Sequence, residues 1–124
     1  MTTILVIDDE PGIRELLNTL LRQHGYDVVV AENGQDGLEL FRRESPDVLV
    51  LDLNMPGMDG LTVLQLVRSM SPLQPVVILT GAGTAEMEQQ VRALGVTEYF
   101  EKEFSLHLLD DSLKRLLIPT DPSR

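Results

Sequence analysis

Four short and uninterrupted apolar runs, rich in β-branched residues, constrain this sequence more than any other feature. They lie at residues 4–7, 28–30, 48–51 and 76–79. Runs that are apolar at every position, rather than at alternate positions, are typical of strands buried on both faces of a parallel sheet. A fifth and more polar run, residues 96–100, is predicted to form an edge strand.

Amphipathic helical patterns alternate with these runs. The first helix is predicted between Pro11 at its start and Gly25 just beyond its end, and Asn33 is predicted to cap the second. The repeated strand–helix order predicts one α/β domain with a parallel sheet and helices on both faces. Right-handed crossovers leave a few doubly wound strand orders. The apolar stripes of the five helices fall within residues 13–21, 38–41, 61–67, 87–94 and 106–117.

Length and charge limit the possible functions. The 124 residues fit one domain, predicted over residues 1–118, and the polar residues 119–124 form a tail or the start of a linker. The net charge of -10 argues against direct binding to nucleic acid or to an anionic membrane. The chain has no Cys, which excludes thiolate metal sites and a Cys nucleophile. Its start does not resemble a signal peptide, so a cytoplasmic location is expected.

Polar or charged residues follow four of the five predicted strands. They are residues 8–10 after the first strand, Asp52 after the third, residues 80–81 at the end of the fourth and Lys102 after the fifth. Each alone is an ordinary turn or surface residue. Because ligands of open α/β sheets bind at the carboxyl ends of the strands, their joint occurrence predicts one site.

The residue types in this predicted site suit phosphoryl transfer. If the first and third strands are neighbours, their ends lie ~4.8 Å apart and bring Asp8, Asp9 and Asp52 together. Carboxylates this close need raised pKa values or a bound cation, and oxygen ligands favour Mg²⁺ or Mn²⁺. The Thr80 hydroxyl and the long side chain of Lys102 would complete a cradle for a phosphoryl group. Asp52 is the candidate nucleophile, which would form an aspartyl phosphate.

On these residues the chain resembles a response-regulator receiver domain of bacterial two-component signalling, over about residues 3–118. The motifs are residues 6–10, 52–60 and 79–82, together with Tyr99 three residues before Lys102. The resemblance implies a flavodoxin-like fold, a five-stranded sheet in the order 2-1-3-4-5 with five helices.

The resemblance also implies a role for each residue of the acidic site. Asp52 would accept the phosphoryl group. Asp9, Asp52 and the backbone carbonyl of Asn54 would bind Mg²⁺ directly, and Asp8 would act through water.

Further residues are implied to bind the phosphoryl group or to respond to it. Thr80 and Lys102 would bind its oxygens, and the backbone N–H groups of Asn54 and Gly81 are candidate donors. Tyr99 would turn inward when Thr80 closes on the phosphate, while the glycine-containing loop after Thr80 moves.

The implied partners are those of a signalling domain rather than of an enzyme. The phosphoryl donor would be a histidine kinase, a phosphotransfer protein or a small acyl phosphate. Residues 87–94, 96–100 and 106–117 would form the face that binds an output domain or protein, or a second copy of the chain. The only chemistry expected is the domain's own phosphorylation and dephosphorylation.

One position departs from the family pattern. Receiver domains usually have Pro after the active-site Lys, often with a cis peptide bond, whereas here Glu103 follows Lys102. A non-proline cis bond costs ~3 kcal/mol, so a trans bond or a shifted loop is predicted. Glu101 and Glu103 would compete with the phosphoryl group for the Lys102 ammonium.

Three other functions share some of these features. A haloacid-dehalogenase-type phosphatase requires Asp-x-Asp after the first strand, whereas this chain has adjacent Asp8 and Asp9. A flavodoxin-like phosphate binder requires a loop rich in Ser, Thr and Gly at that position, and the acidic residues would repel its ligand. A receiver-like adaptor that is never phosphorylated is the third, supported only by Glu103.

Overall fold

The computed structural model describes residues 2–81, 83–96, 98–101, 111 and 114–115. In chain order, these residues form β1 (Thr3–Ile7), α1 (Pro11–Gln23), β2 (Asp27–Ala31), α2 (Gly34–Glu44), β3 (Val48–Leu51), α3 (Gly60–Met70), β4 (Val76–Thr80), α4 (Ala85–Ala93) and β5 (Glu98–Glu101).

The five strands form one parallel sheet in the order β2-β1-β3-β4-β5, which confirms the doubly wound arrangement. The central strands β3 and β4 are buried at every position, as their uninterrupted apolar runs predict. The edge strand β5 is only partly buried, in keeping with its polar sequence. The register pairs Ile7 with Leu51, so β1 and β3 end side by side.

The sheet separates two apolar layers. One layer packs against α2, α3 and α4, and the other packs against α1. The second layer includes Leu17 and Leu21 of α1, both fully buried, as the helical spacing of the first stripe predicts. The helices are therefore fixed to the sheet, and the loops that leave the carboxyl ends of the strands meet at one edge.

Side-chain caps mark where three helices begin. The side chain of Asn33 accepts a hydrogen bond from the Asp36 N–H at 2.8 Å, which confirms the predicted cap of α2. Asp59 caps α3 in the same way, and Thr84 caps α4 through the Met87 N–H at 3.1 Å. The caps of α3 and α4 follow the loops after β3 and β4, so they fix the position of both loops at the site edge.

The fifth strand is shorter than predicted, and the predicted fifth helix is described only in part. The fifth strand begins at Glu98 rather than at residue 96, because the chain leaves α4 through Gly95 in a left-handed turn (φ 82) and Val96 belongs to the connection. Asp111, Lys114 and Arg115 are helical, whereas the rest of the predicted fifth helix lies outside the described residues. Within the described part of the chain, no helix is long and apolar enough to span a bilayer.

Candidate functional site

The site is built at the carboxyl ends of β1 and β3. Asp8 follows β1 directly and Asp52 follows β3, and both are only 2% exposed. The Asp52 N–H donates to the carbonyl of Ile7 at 2.9 Å, so the β1–β3 ladder continues to the acidic residues. Because neighbouring parallel strands end together, two buried carboxyl groups lie side by side at this edge.

An acidic cluster forms at the end of β1. The carboxylate oxygens of Asp8, Asp9 and Glu10 lie within 4.8 Å of one another, and their burial decreases from buried Asp8 to exposed Glu10. The Glu10 N–H donates to the Asp8 carboxylate at 2.9 Å, which fixes the turn. The cluster contains the predicted Asp8 and Asp9, with Glu10 in place of Asp52 as third member. The ligand role of Asp52 stays a prediction.

Arg14, in the first turn of α1, supports the chain turn at Asp8. Its guanidinium donates to the backbone carbonyl of Asp8 at 2.8 Å and lies 3.8 Å from the carboxylate of Glu32. The contact to a carbonyl fixes the backbone at Asp8 and leaves the carboxylate group of that residue to other partners. Sequence reasoning missed Arg14, because an arginine in an amphipathic helix has no feature that distinguishes it from a solvated charge.

The loop after Asp52 is tightly closed, which explains its characteristic sequence. A side chain at Gly60 would overlap the backbone carbonyl of Asp52 and would lie 2.6 Å from the Cα of Leu53. The Gly60 N–H donates to the Leu53 carbonyl at 3.0 Å, and Asp59 caps the following helix. Backbone packs directly against backbone here, so the loop depends on a glycine at position 60.

Asn54 connects this loop with the end of β4. Its side-chain amide donates to the hydroxyl of Thr80 at 3.2 Å, and its backbone N–H donates to the Asp52 carboxylate at the same distance. Thr80 is completely buried as the last residue of β4. The predicted proximity of Asp52, Asn54 and Thr80 is therefore present in the structure. The Asn54 side-chain contact was missed, since the sequence does not reveal where that amide points.

Tyr99 lies on β5 opposite Ile78, on the same face of the sheet as Thr80. Burial, followed by the nearby charges of Glu88 and Glu101, raises the pKa of the Tyr99 hydroxyl, and Arg92 opposes this shift in part. The half-buried ring packs against the apolar layer. Tyr99 and Thr80 therefore lie on one face of two neighbouring strands, and the inward turn of Tyr99 stays a prediction.

Of the remaining predicted site residues, the structure describes Gly81 and does not describe Lys102. Gly81 is exposed directly after Thr80, at the carboxyl end of β4. Lys102 and Glu103 lie outside the described residues, as does the peptide bond between them. The predicted phosphoryl contact of Lys102 and the predicted trans bond therefore stay predictions.

The acidic cluster has the chemistry that a hard divalent cation requires. It offers carboxylate oxygens only, with one buried and one exposed end, and no sulfur or imidazole group belongs to it. Mg²⁺ binds such oxygen sets and keeps several waters, which an exposed edge can supply. Asp8, Asp9 and Glu10 therefore fit a hard cation such as Mg²⁺ or Mn²⁺ better than a metal that prefers thiolate or imidazole ligands.

A parallel sheet with buried acids where two central strands end, and a threonine on the adjacent strand, defines a class of α/β domain that handles phosphoryl groups. Comparison with known proteins identifies the family. The chain matches the response regulator receiver domain model over residues 4–114. It therefore belongs to the receiver domains of response regulators, the phosphoacceptor signalling domains of two-component systems.

Individual relatives agree with this assignment. The chain is 36% identical to sporulation initiation phosphotransferase F of Bacillus subtilis, over 92% of each chain. It is 37% identical to the probable transcriptional regulatory protein TcrX of Mycobacterium tuberculosis, covering 93% of this chain and 49% of TcrX. The chain thus spans about half the length of the transcriptional regulators it matches.

A solved structure is similar throughout. The response regulator TrrA of Thermotoga maritima, in complex with Mg²⁺ and a beryllium fluoride, superposes with a TM-score of 0.84 at 36% identity. The match covers 94% of this chain and all of TrrA. The family match, together with adjacent Asp8 and Asp9, favours a receiver over the phosphatase and flavodoxin-like alternatives.

Proposed function

We propose that Asp52 is the residue that accepts the phosphoryl group, from a histidine kinase, a phosphotransfer protein or a small acyl phosphate. The observation that carries this assignment is the meeting of Asp52 with Asp8 and Thr80 at the ends of three adjacent strands. Asn54 connects two of them by hydrogen bonds to Asp52 and Thr80, both at 3.2 Å. Asp8 and Asp52 are the buried carboxylates among the described residues. Of these two, only Asp52 follows a strand that neighbours β4, the strand that ends at Thr80.

The proposed reaction makes modest demands on the chain. A carboxylate oxygen of Asp52 forms a bond to phosphorus as the bond from phosphorus to the donor's nitrogen or oxygen breaks, and the bonding pair leaves with the donor. The backbone N–H of Asn54 orients the carboxylate. In this proposal the Thr80 hydroxyl, which accepts from the Asn54 amide, donates its own hydrogen to a phosphoryl oxygen. Positioning and charge neutralisation are the main requirements of phosphoryl transfer.

We assign the cation site to the acidic cluster next to Asp52. Asp9 would hold Mg²⁺ or Mn²⁺ directly and Asp8 would act through water, with Asp52 and the carbonyl of Asn54 as the further ligands that the family pattern implies. The carboxylate of Glu10 lies in the same cluster. When bound, the ion neutralises charge on the phosphoryl oxygens. The Mg²⁺ and beryllium fluoride in the relative TrrA support this choice of ion.

The signal would leave through α4 and β5. A phosphoryl group adds a charge of about -1.5 to -2, which draws Thr80 and the following loop toward Asp52. Since only Val91 of α4 is buried, that helix can shift without opening the core. The face of α4, β5 and the predicted fifth helix would bind a cytoplasmic output domain, an output protein or a second copy of the chain. The only reactions of the domain would be its own phosphorylation and dephosphorylation.

The experiment is intact-mass spectrometry after incubation with acetyl phosphate and Mg²⁺. Wild type gains the mass of one phosphoryl group, and chelation of the metal abolishes the gain. Asp52→Asn gains nothing. Asp47→Asn is the matched control, because Asp47 is an exposed acid at the opposite end of the same strand, and this variant gains the same mass as wild type. An unmodified wild type would instead support the adaptor function.

A further inference from the structure

Gly83 lies against the end of the Tyr99 side chain. A Cβ built on Gly83 would overlap the Tyr99 hydroxyl and would lie 3.1 Å from the ring carbon that bears it. The same Cβ would lie 3.1 Å from the Thr80 methyl group. Tyr99 and Thr80 therefore both border the space at Gly83 that a side chain would fill.

The backbone does not by itself require glycine at position 83. Among the described glycines, Gly25, Gly57 and Gly95 have positive φ angles, and Gly83 is not one of them. An L-amino acid can therefore adopt the conformation of Gly83 without backbone strain. The space occupied by Tyr99 is the feature that excludes a side chain there.

A charged group lies over the Tyr99 ring. The guanidinium of Arg92 lies 5.8 Å from the ring centroid, within the range of a cation–π contact. Glu88 holds Arg92 through an ion pair at 2.8 Å, one turn away on α4. The ring thus lies between α4 and the loop, with its hydroxyl end at Gly83.

We propose that Gly83 is a positioning residue that sets the inward place of Tyr99. Its missing side chain provides the space for the hydroxyl, so any side chain at position 83 moves the ring outward. The move would uncover the Thr80 methyl group and change the surface of α4 and β5. The geometric part of this inference stands alone, and its consequence for signalling rests on the proposed function.

The test uses tyrosine fluorescence, because the chain has no Trp and only two Tyr. In a Tyr26→Phe background, Tyr99 is the single fluorophore, and acrylamide quenching measures its exposure. Gly83→Ala is expected to raise the quenching constant at least twofold. Gly12→Ala is the matched control, since a Cβ at Gly12 meets nothing within 4 Å, and it should leave the constant unchanged.

A rescue experiment separates positioning from general damage to the fold. Gly83→Ala is expected to lower the thermal midpoint by about 4 °C. In a Tyr99→Phe background, which lacks the overlapping hydroxyl, the same substitution should lower the midpoint by less than half as much. Unchanged quenching in Gly83→Ala, or an equal loss of midpoint in both backgrounds, would overturn the inference. Neither measurement involves Asp52, so a failure of phosphorylation would refute the proposed function separately.

Discussion

The side-chain amide of Asn54 donates a hydrogen bond to the Thr80 hydroxyl across 3.2 Å, joining the loops that follow β3 and β4. The two residues are 26 positions apart in the chain. Through Asn54, which also donates to the Asp52 carboxylate, this contact connects Thr80 with Asp52. If Asp52 accepts a phosphoryl group as proposed, the Thr80 hydroxyl can donate its hydrogen to that group while it still accepts from Asn54.

A double-mutant cycle measures this contact. Asn54→Ala keeps the backbone carbonyl of Asn54 and removes the amide, and Thr80→Val replaces the hydroxyl with a methyl group. A neutral hydrogen bond of this kind is worth about 0.5–1.5 kcal/mol, so the coupling free energy of unfolding should lie in that range. Urea unfolding of the four proteins measures it. Strictly additive effects of the two substitutions would show that the contact contributes nothing.

Gly60→Ala should destabilise the fold, because the new methyl group meets the backbone of Asp52 and Leu53 rather than a flexible side chain. Overpacking of this kind costs about 1–3 kcal/mol. The matched control is Gly12→Ala on the exposed start of α1, which should keep or increase the stability. The midpoints of urea unfolding compare the two variants, and a Gly60→Ala midpoint at or above that of wild type would disprove the close approach.

Arg68 connects the carboxyl end of α4 with the carboxyl end of α3. Its guanidinium donates to the carbonyls of Leu94 and Gly95 after α4, and to those of Ser71 and Gln74 after α3. Burial lowers the pKa of Arg68, but an arginine remains charged at neutral pH. The planar guanidinium therefore donates to carbonyls at the carboxyl ends of two helices at once, where negative partial charge accumulates.

Removing the Arg68 guanidinium should lower the free energy of unfolding. Arg68→Met is expected to reduce the free energy of unfolding by about 3 kcal/mol, because several carbonyls lose a charged donor. Arg68→Lys should lose most of that amount, since an ammonium cannot reproduce the planar guanidinium. Arg43→Lys, at an exposed ion pair with Glu44, is the control and should change little. Full retention of stability in Arg68→Lys would argue against the need for the planar guanidinium.

Stability should fall at alkaline pH through Tyr99. Burial first, and then Glu88 and Glu101, raise the pKa of its hydroxyl above the ordinary value of 10.0. A group whose pKa is higher in the folded state stabilises the fold below the unfolded pKa, and this contribution is lost as the pH rises through the folded pKa. Tyr99→Phe should therefore lose less stability than wild type between about pH 9 and pH 11. Equal losses in urea unfolding at these two pH values would refute the assignment.

The parallel sheet and the position of Asp8, Asp52 and Thr80 at one edge of it could be expected from the sequence pattern. Buried parallel strands need apolar residues at every position, and the residue after each strand must then lie at a shared edge. The cap at Asn33 was equally predictable, because its chemistry is local. The family resemblance supplied the strand order itself.

The remaining features depend on packing between distant segments. The contact of Asn54 with Thr80, the place of Tyr99 at Gly83 and the carbonyl contacts of Arg68 join residues of different elements. Periodicity and spacing carry no information about which way such side chains point. Glu10 is an intermediate case, since its position directly after Asp8 and Asp9 was visible and only its inclusion in the cluster was missed.

The most direct test of the central claim locates the phosphoryl group on the chain. Borohydride reduces an aspartyl phosphate to homoserine, so reduction after incubation with acetyl phosphate and Mg²⁺ marks the modified residue permanently. Tandem mass spectrometry should find homoserine at position 52 and unmodified aspartate at positions 8, 9 and 47. Homoserine at any of those three positions, with position 52 unchanged, would contradict the account.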